Sequence, residues 1–299
     1  MVNNTSFAST FKITTIVDGK EKLFFVKTAN GKDAETMFAG THPHRSPLSP
    51  PFRPFHTRDL TSKIGEHTSL NTIHSAVPTL CPQSYAHGRL FNAHGCFLAT
   101  DFLNLSPSHS ARSGSGISLA HKLAQLHSIP APTPPGYDAP QFGFPVPTAC
   151  GDTLQDNGFR ASWVEFFADN RLRHVLRVAE GRNGVDAGLA RLVERTTGEV
   201  VPRLLGEGHL RGGDGGCVVP VVVHGDLWSG NRGRGTVGKG GVEEVVFDPS
   251  ASWSHSEFEF GIMRMFGGFG AGFEREYHEV KGKDEPVGEW EDRVLLYEL

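Results

Sequence analysis

The chain has 299 residues, 38% of them hydrophobic, and a formal net charge of −4. That length supplies ample core for one bilobal unit or two small domains, and the weakly acidic balance argues against nucleic acid as a partner. Cys81, Cys96, Cys150 and Cys217 are scattered without CxxC spacing, no leader segment opens the chain and no apolar run approaches ~18 residues, so the expectation is a cytoplasmic protein with reduced thiols, no zinc site and no membrane partner.

In chain order, residues 11–28 read as two strands around an Asp18-Gly19 hairpin signal. Lys27 ends the Phe-Phe-Val run of the second strand, where a kinase carries the lysine that pairs the α/β-phosphates. Asp33 to Ala39 begins a helix. Residues 41–65 then hold five prolines and no sustained periodicity, so a helix cannot continue through them. Helical character is expected to resume at Glu66, with Leu70, Ile73 and Val77 on one face. Glu66 is the candidate partner of Lys27.

Cys96 to Leu103 reads as a strand leading into a connector. Ile117 to Ser128 is an amphipathic helix with Leu119, Leu123 and Leu126 on one face and Pro130 beyond its end. Ser162-Trp163-Val164-Glu165 has capping-box spacing, and the helix after it turns Trp163, Phe166, Phe167 and Leu172 inward. Val185 to Val193 makes a further helix. The glycine-rich stretches at 206–216 and 230–241 flank strands and read as loops rather than RNA-binding segments. The fifteen histidines are dispersed, and His121 and His127 read as ordinary surface or packing residues.

The densest signal is Val221-Val222-Val223-His224-Gly225-Asp226-Leu227-Trp228-Ser229-Gly230-Asn231, followed by Val245-Val246-Phe247-Asp248-Pro249. Two β-branched runs each end in carboxylate or amide chemistry. An Asp, an Asn five residues on and a second Asp after the next strand match the parts of a phosphoryl-transfer centre. In that scheme Asp226 is the general base, with an ordinary acidic pKa that keeps it ionised, and Asn231 and Asp248 are hard-oxygen ligands for Mg²⁺. The loop reads HGD where protein kinases read HRD. His224 is expected to brace the loop, and Trp228 either stacks on substrate or locks the loop.

HGDLWSGN, VVFDPS, the run Glu257 to Phe269, Phe142-Gly143-Phe144-Pro145 and Trp163 to Ala168 together resemble the fructosamine/ketosamine-3-kinase family, itself similar to aminoglycoside and choline kinases. The resemblance runs from about Phe24 to the C-terminus. It implies an α/β (α+β) protein-kinase-like bilobal fold, with a small β-rich N-lobe over residues 1–103 and a larger, mostly helical C-lobe over 104–299. Asp101 and Leu103 then fall at the hinge whose backbone holds adenine, and Lys27, Glu66, Asp101 and Leu103 bind ATP. The implied acceptor is the 3-hydroxyl of a ketosamine, the ribulosamine or fructosamine adduct on a lysine amine, free or on protein, and the reaction reverses early glycation.

Three departures accompany the likeness. Residues 41–65 stand where the family runs directly from Met-Phe-x-Gly into Glu-x-x-x-Leu, so they are expected to be an insertion or a disordered loop. Ser6 to Thr10, the expected phosphate-covering turn, has no glycine, and similar proteins begin further upstream. The chain stops in what reads as the start of an apolar helix, so the C-lobe is expected to be truncated. The rival readings are a small-molecule kinase of the choline/aminoglycoside type, a catalytically defective pseudokinase, and a metal-dependent hydrolase using His224, Asp226 and Asp248. The residues are silent on oligomeric state.

Overall fold

The structure is a computed structural model that describes residues 8–30, 55–91, 95–105, 116–237 and 241–299. Strands β1 (Ala8–Val17) and β2 (Lys20–Asn30) form a hairpin, with Asp18 and Gly19 both at positive φ, as a tight two-residue turn between twisted strands requires. Ala8 to Thr10 are therefore strand, not a phosphate-covering turn; the rest of that expected turn, and the expected helix at 33–39, lie outside the described residues. Strands β3 (Ser84–Arg89) and β4 (Gly95–Asp101) complete a four-stranded antiparallel sheet in the order β1-β2-β4-β3.

Helix α1 (Phe55–Ala76) packs on this sheet through Leu70 and Ile73, which with Val77 just past its end share a core with Leu98 of β4. Its start at Phe55 corrects the expectation that helical character resumes only at Glu66 and that residues 55–65 are loop; residues 41–54 of the expected insertion lie outside the described residues. The last proline of that stretch is Pro54, directly before the helix, where a proline costs nothing. Residues 55–65 are helical although they lack an apolar stripe. Their final turn is held by tertiary contact: Gly65 lies so close to the loop before β6 that a Cβ would meet Pro147 O at 2.6 Å.

Strand β5 (Leu103–Leu105) leaves the first sheet and pairs with β9 (Arg232–Val237), which pairs with β10 (Val242–Val246). Helix α2 (Leu119–His127) is capped by Ser118 and buries Leu119, Leu123 and Leu126, as its periodicity predicts. A small hairpin follows, β6 (Ala149–Cys150) with β7 (Thr153–Leu154). Helices α3 (Trp163–Glu165), α4 (His174–Asn183), α5 (Ala187–Arg195) and α6 (Val201–Leu205) come next, α3 and α4 joined through the wide-turned segment Phe166–Arg173. Ser162 makes no side-chain cap, so the capping-box reading fails there. Trp163, Phe166 and Phe167 are buried, while Leu189 and Leu192 of α5 stay exposed.

Strand β8 (Val221–Val223) pairs with β11 (Ser252–Ser254), and α7 (Glu259–Phe266), α8 (Ala271–Val280) and α9 (Trp290–Tyr297) close the chain. One continuous core runs from α1 and β4 through α2 and β8 to Phe260, Tyr277 and Trp290. A second gathers Phe142, Trp163, Phe167, Leu205 and Tyr297. Among the described residues no helix is long and apolar enough to cross a membrane.

Candidate active site

The three valines of β8 are buried, and the strand delivers His224-Gly225-Asp226 to the mouth of a cleft. Gly225 has φ +76°, and a Cβ on it would lie 2.2 Å from Ser250 O. No larger residue fits, which is the physical reason for HGD in place of HRD. Both ring nitrogens of buried His224 are used. Nε2 lies 3.0 Å from Phe247 O and donates to it, while Nδ1 accepts the Asp226 N–H at 3.3 Å. Burial holds this imidazole below its usual pKa, so it is neutral and braces the loop. Buried Glu259, at the start of α7, accepts the His224 N–H and, at 3.0 Å, the Gly225 N–H.

Asp226 is fixed from two sides. Asn231 Nδ2 donates to its backbone O at 2.8 Å and to Oδ2 at 3.1 Å, and the Cys150 thiol on β6 lies 3.8 Å from Oδ1. The expectation of an ordinary pKa is corrected here. Burial raises the Asp226 carboxyl to about 6, Asn231 opposes the shift, and the negative charges of Glu259 and Asp248 add to it. Cys150 is likewise pushed up to about 12, by burial first and by Asp226 second, and so stays a protonated donor.

With both amide hydrogens of Asn231 engaged by Asp226, its Oδ1 remains as an oxygen ligand. Phe247 N–H donates to Asn231 O at 3.0 Å, which seats the end of β10 beside the loop. Asp248 follows with φ 55°, a left-handed conformation that Asp tolerates better than most residues. Its carboxylate accepts from Lys27 Nζ at 3.1 Å, and the same ammonium lies 3.3 Å from Glu66 Oε1. Burial alone would raise the Asp248 carboxyl and lower the Lys27 ammonium. The Lys27 charge outweighs this for Asp248 and holds it below its ordinary value, while Glu66 first and Asp248 second outweigh it for Lys27 and hold that ammonium above.

Lys27, Glu66, Asp226, Asn231 and Asp248 line one cavity of about 560 Å³. Glu66 and Asp248 are shared with an adjoining, more apolar pocket of about 220 Å³, lined by Leu98, Asp101, Leu103 and Phe247 among others. The Asp101 carboxylate itself is taken by Gln83 N–H and Tyr85 Oη, at 3.2 and 2.8 Å. Among the residues of the large cavity that the sequence does not mark as site residues are Cys150, and Lys63 of α1, whose Nζ lies 3.0 Å from Glu66 Oε2. At the far end the Trp228 ring covers Gly230 and stands 5.8 Å from Phe266. Trp163 lies in the second core, its indole N–H donating to Tyr297 Oη at 2.8 Å.

His255, Glu257 and Asp284 lie within a metal's reach of one another, but their donors are engaged. His255 bonds Tyr297 Oη and Asp284 Oδ2, both at 2.8 Å, and Glu257 is clamped by Arg293. This is a structural network, and Glu257, like Glu259, orients chain rather than facing the cleft.

The fold and cleft together define a protein-kinase-like α/β protein. Over 97% of this chain and 84% of the other, it superposes on a Thermobifida fusca protein assigned as a fructosamine-3-kinase, with a TM-score of 0.63 and 21% identity. Aminoglycoside phosphotransferase APH(4)-Ia shares the fold at a TM-score of 0.52 and 12% identity, over 99% of this chain and 80% of that one. The fructosamine kinase family profile matches residues 57–299, and the chain belongs to that family. It is 31% identical over 274 residues to the chloroplastic protein-ribulosamine 3-kinase of rice, covering 92% of this chain and 65% of that protein. It is 33% identical over 159 residues to mouse ketosamine-3-kinase, covering 53% of this chain and 46% of the mouse protein. This chain thus spans less than two thirds of the length of those relatives.

Proposed function

We propose that the chain is an ATP-dependent kinase that phosphorylates the 3-hydroxyl of ketosamines, the ribulosamine or fructosamine adducts on lysine amines. The observation that carries the reading is the convergence of Lys27, Glu66, Asp226, Asn231 and Asp248 on a single cavity that opens onto an apolar pocket. In this reading the apolar pocket takes the adenine, with Asp101 and Leu103 contributing backbone rather than side chain.

A nucleotide bound with Mg²⁺ supplies the phosphoryl group and the divalent charge that offsets its negative oxygens. The donor set fits that ion: the Asn231 amide oxygen and the Asp248 carboxylate are hard oxygen ligands. Lys27, steered by Glu66, neutralises phosphate charge. Asp226 orients the acceptor hydroxyl and receives its proton. A carboxylate raised to about 6 stays mostly ionised at neutral pH and accepts a proton more readily than an ordinary one. Glu259 and His224 keep its backbone still, which matters because phosphoryl transfer depends mainly on positioning and charge. Trp228 and Phe266 wall the acceptor end.

The test is a coupled ADP-release assay on fructosyl-lysine, ribulosyl-lysine and choline in parallel. Turnover on the two ketosamines and not on choline is the expected result. Turnover on choline alone moves the assignment to the small-molecule kinases, and nucleotide binding without turnover on any acceptor replaces the reading with a pseudokinase.

A further inference from the structure

Glu66 carries two lysines. Lys27 of β2 sits on Oε1, and Lys63, one turn earlier on α1, sits on Oε2. Lys63 is 6% exposed, yet with Ser62 it forms part of the wall of the 560 Å³ cavity. Its place in the cleft is specific. The cavity it lines holds Asp226, Asn231 and Asp248, whereas the apolar pocket beyond Asp248 includes neither lysine. Lys63 is therefore at the reacting end of the cleft, with Asp226, and outside the apolar pocket proposed for the adenine.

Glu66 between the two ammonium groups, with Asp248 also on Lys27, satisfies only part of their hydrogen-bonding capacity, since each ammonium has three donors. A polyphosphate entering the cavity offers several charged oxygens to both. We propose that Lys63 is a second phosphate-binding residue, whose ammonium contacts the terminal phosphate of the bound nucleotide while Lys27 takes the inner ones. The inference rests on the kinase reading above. It also places the end of the expected insertion inside the catalytic machinery.

The experiment is calorimetric binding of AMP-PNP, ADP and AMP in Mg²⁺ to the wild type, Lys63→Met, Lys63→Arg and Lys27→Met, with melting midpoints as the folding control. Loss of one charge-assisted contact weakens binding by about tenfold or more. The expected pattern is a loss of that size for AMP-PNP in Lys63→Met, little change for AMP, and recovery of most of the affinity in Lys63→Arg. A role confined to holding Glu66 is separated by repeating Lys63→Met in a Glu66→Gln background. A phosphate contact still weakens AMP-PNP there; no further effect overturns the inference. Equal losses for AMP-PNP and AMP, or none, also overturn it while leaving the kinase reading intact. If Met at 63 prevents folding, Lys63→Gln gives the same comparison. Failure of the wild type to bind AMP-PNP at all removes the kinase reading and this inference with it.

Discussion

Asp226 is set by one near neighbour, Asn231, and by two from further off in the chain, Cys150 and, through the backbone it holds, Glu259. Asp226→Asn removes the proton acceptor and keeps the shape. The expected result is loss of transfer by about 10³-fold or more, with nucleotide affinity within a few-fold, measured as kcat beside AMP-PNP binding. Asp248→Asn is expected to weaken Mg²⁺-dependent nucleotide binding as well. Normal turnover in Asp226→Asn would show that another group takes the proton. Gly225→Ala introduces a Cβ 2.2 Å from Ser250 O at a positive φ. It is expected to lower stability by about 1–3 kcal/mol or more and to displace Asp226, so a urea midpoint and kcat should fall together. The Asp226, Asn231 and Asp248 set was legible because Asp226 and Asp248 each follow a short β-branched run and Asn231 stands five residues after Asp226. Lys63 and Cys150 were not. Their significance comes from groups brought to them in space, 76 positions along the chain in the case of Cys150 and Asp226.

Among elements, α1 shows where sequence pattern stops being informative. Its second half carries the stripe Leu70, Ile73, Val77 and was readable as helix; residues 55–65 carry no stripe and follow a proline cluster. The ion pair from Lys63 to Glu66 and the tight approach of Gly65 to Pro147 accompany the helix there. The first is a local pair between charged residues and the second is tertiary, and apolar periodicity registers neither. A chain lacking residues 41–65 therefore loses Ser62 and Lys63 from the cleft wall and the approach of Gly65 to Pro147. Its ATP turnover is expected to fall at least as far as that of Lys63→Met, with a lower melting midpoint. Unchanged turnover and melting would mean that the first half of α1 is dispensable. The hairpin of β1 and β2 and the helix α2 were legible for the opposite reason, since turn chemistry, cap and apolar spacing agreed with the contacts later made.

For the molecule as a whole, the closing helix α9 ties the second core to the network behind the catalytic loop. Tyr297 Oη bonds Trp163 and His255, and Arg293 clamps Glu257. Asp284 lies within this network. Burial would raise its carboxyl, but His255, Lys281 and the Gly213 N–H outweigh that and hold it well below the usual carboxylate range. A depressed acid stabilises the fold above its unfolded value of about 3.9, and the gain is lost as pH falls toward the folded value. Urea midpoints should therefore drop between about pH 5 and pH 3. In Asp284→Asn the slope in that window should be shallower and stability at pH 7 lower by about 3 kcal/mol. Identical slopes would exclude Asp284 as a source of the acid sensitivity.

Lys27 reaches Asp248 across 221 positions of sequence, and the two occupy each other before any ligand arrives. A divalent cation that claims the Asp248 oxygen leaves the ammonium with Glu66 and one partner fewer, and an ammonium so placed favours an incoming anion. Either visitor alone leaves one of these charges short of a partner, whereas both together do not. Metal and nucleotide are thus expected to be thermodynamic allies, each raising the other's affinity by one common factor.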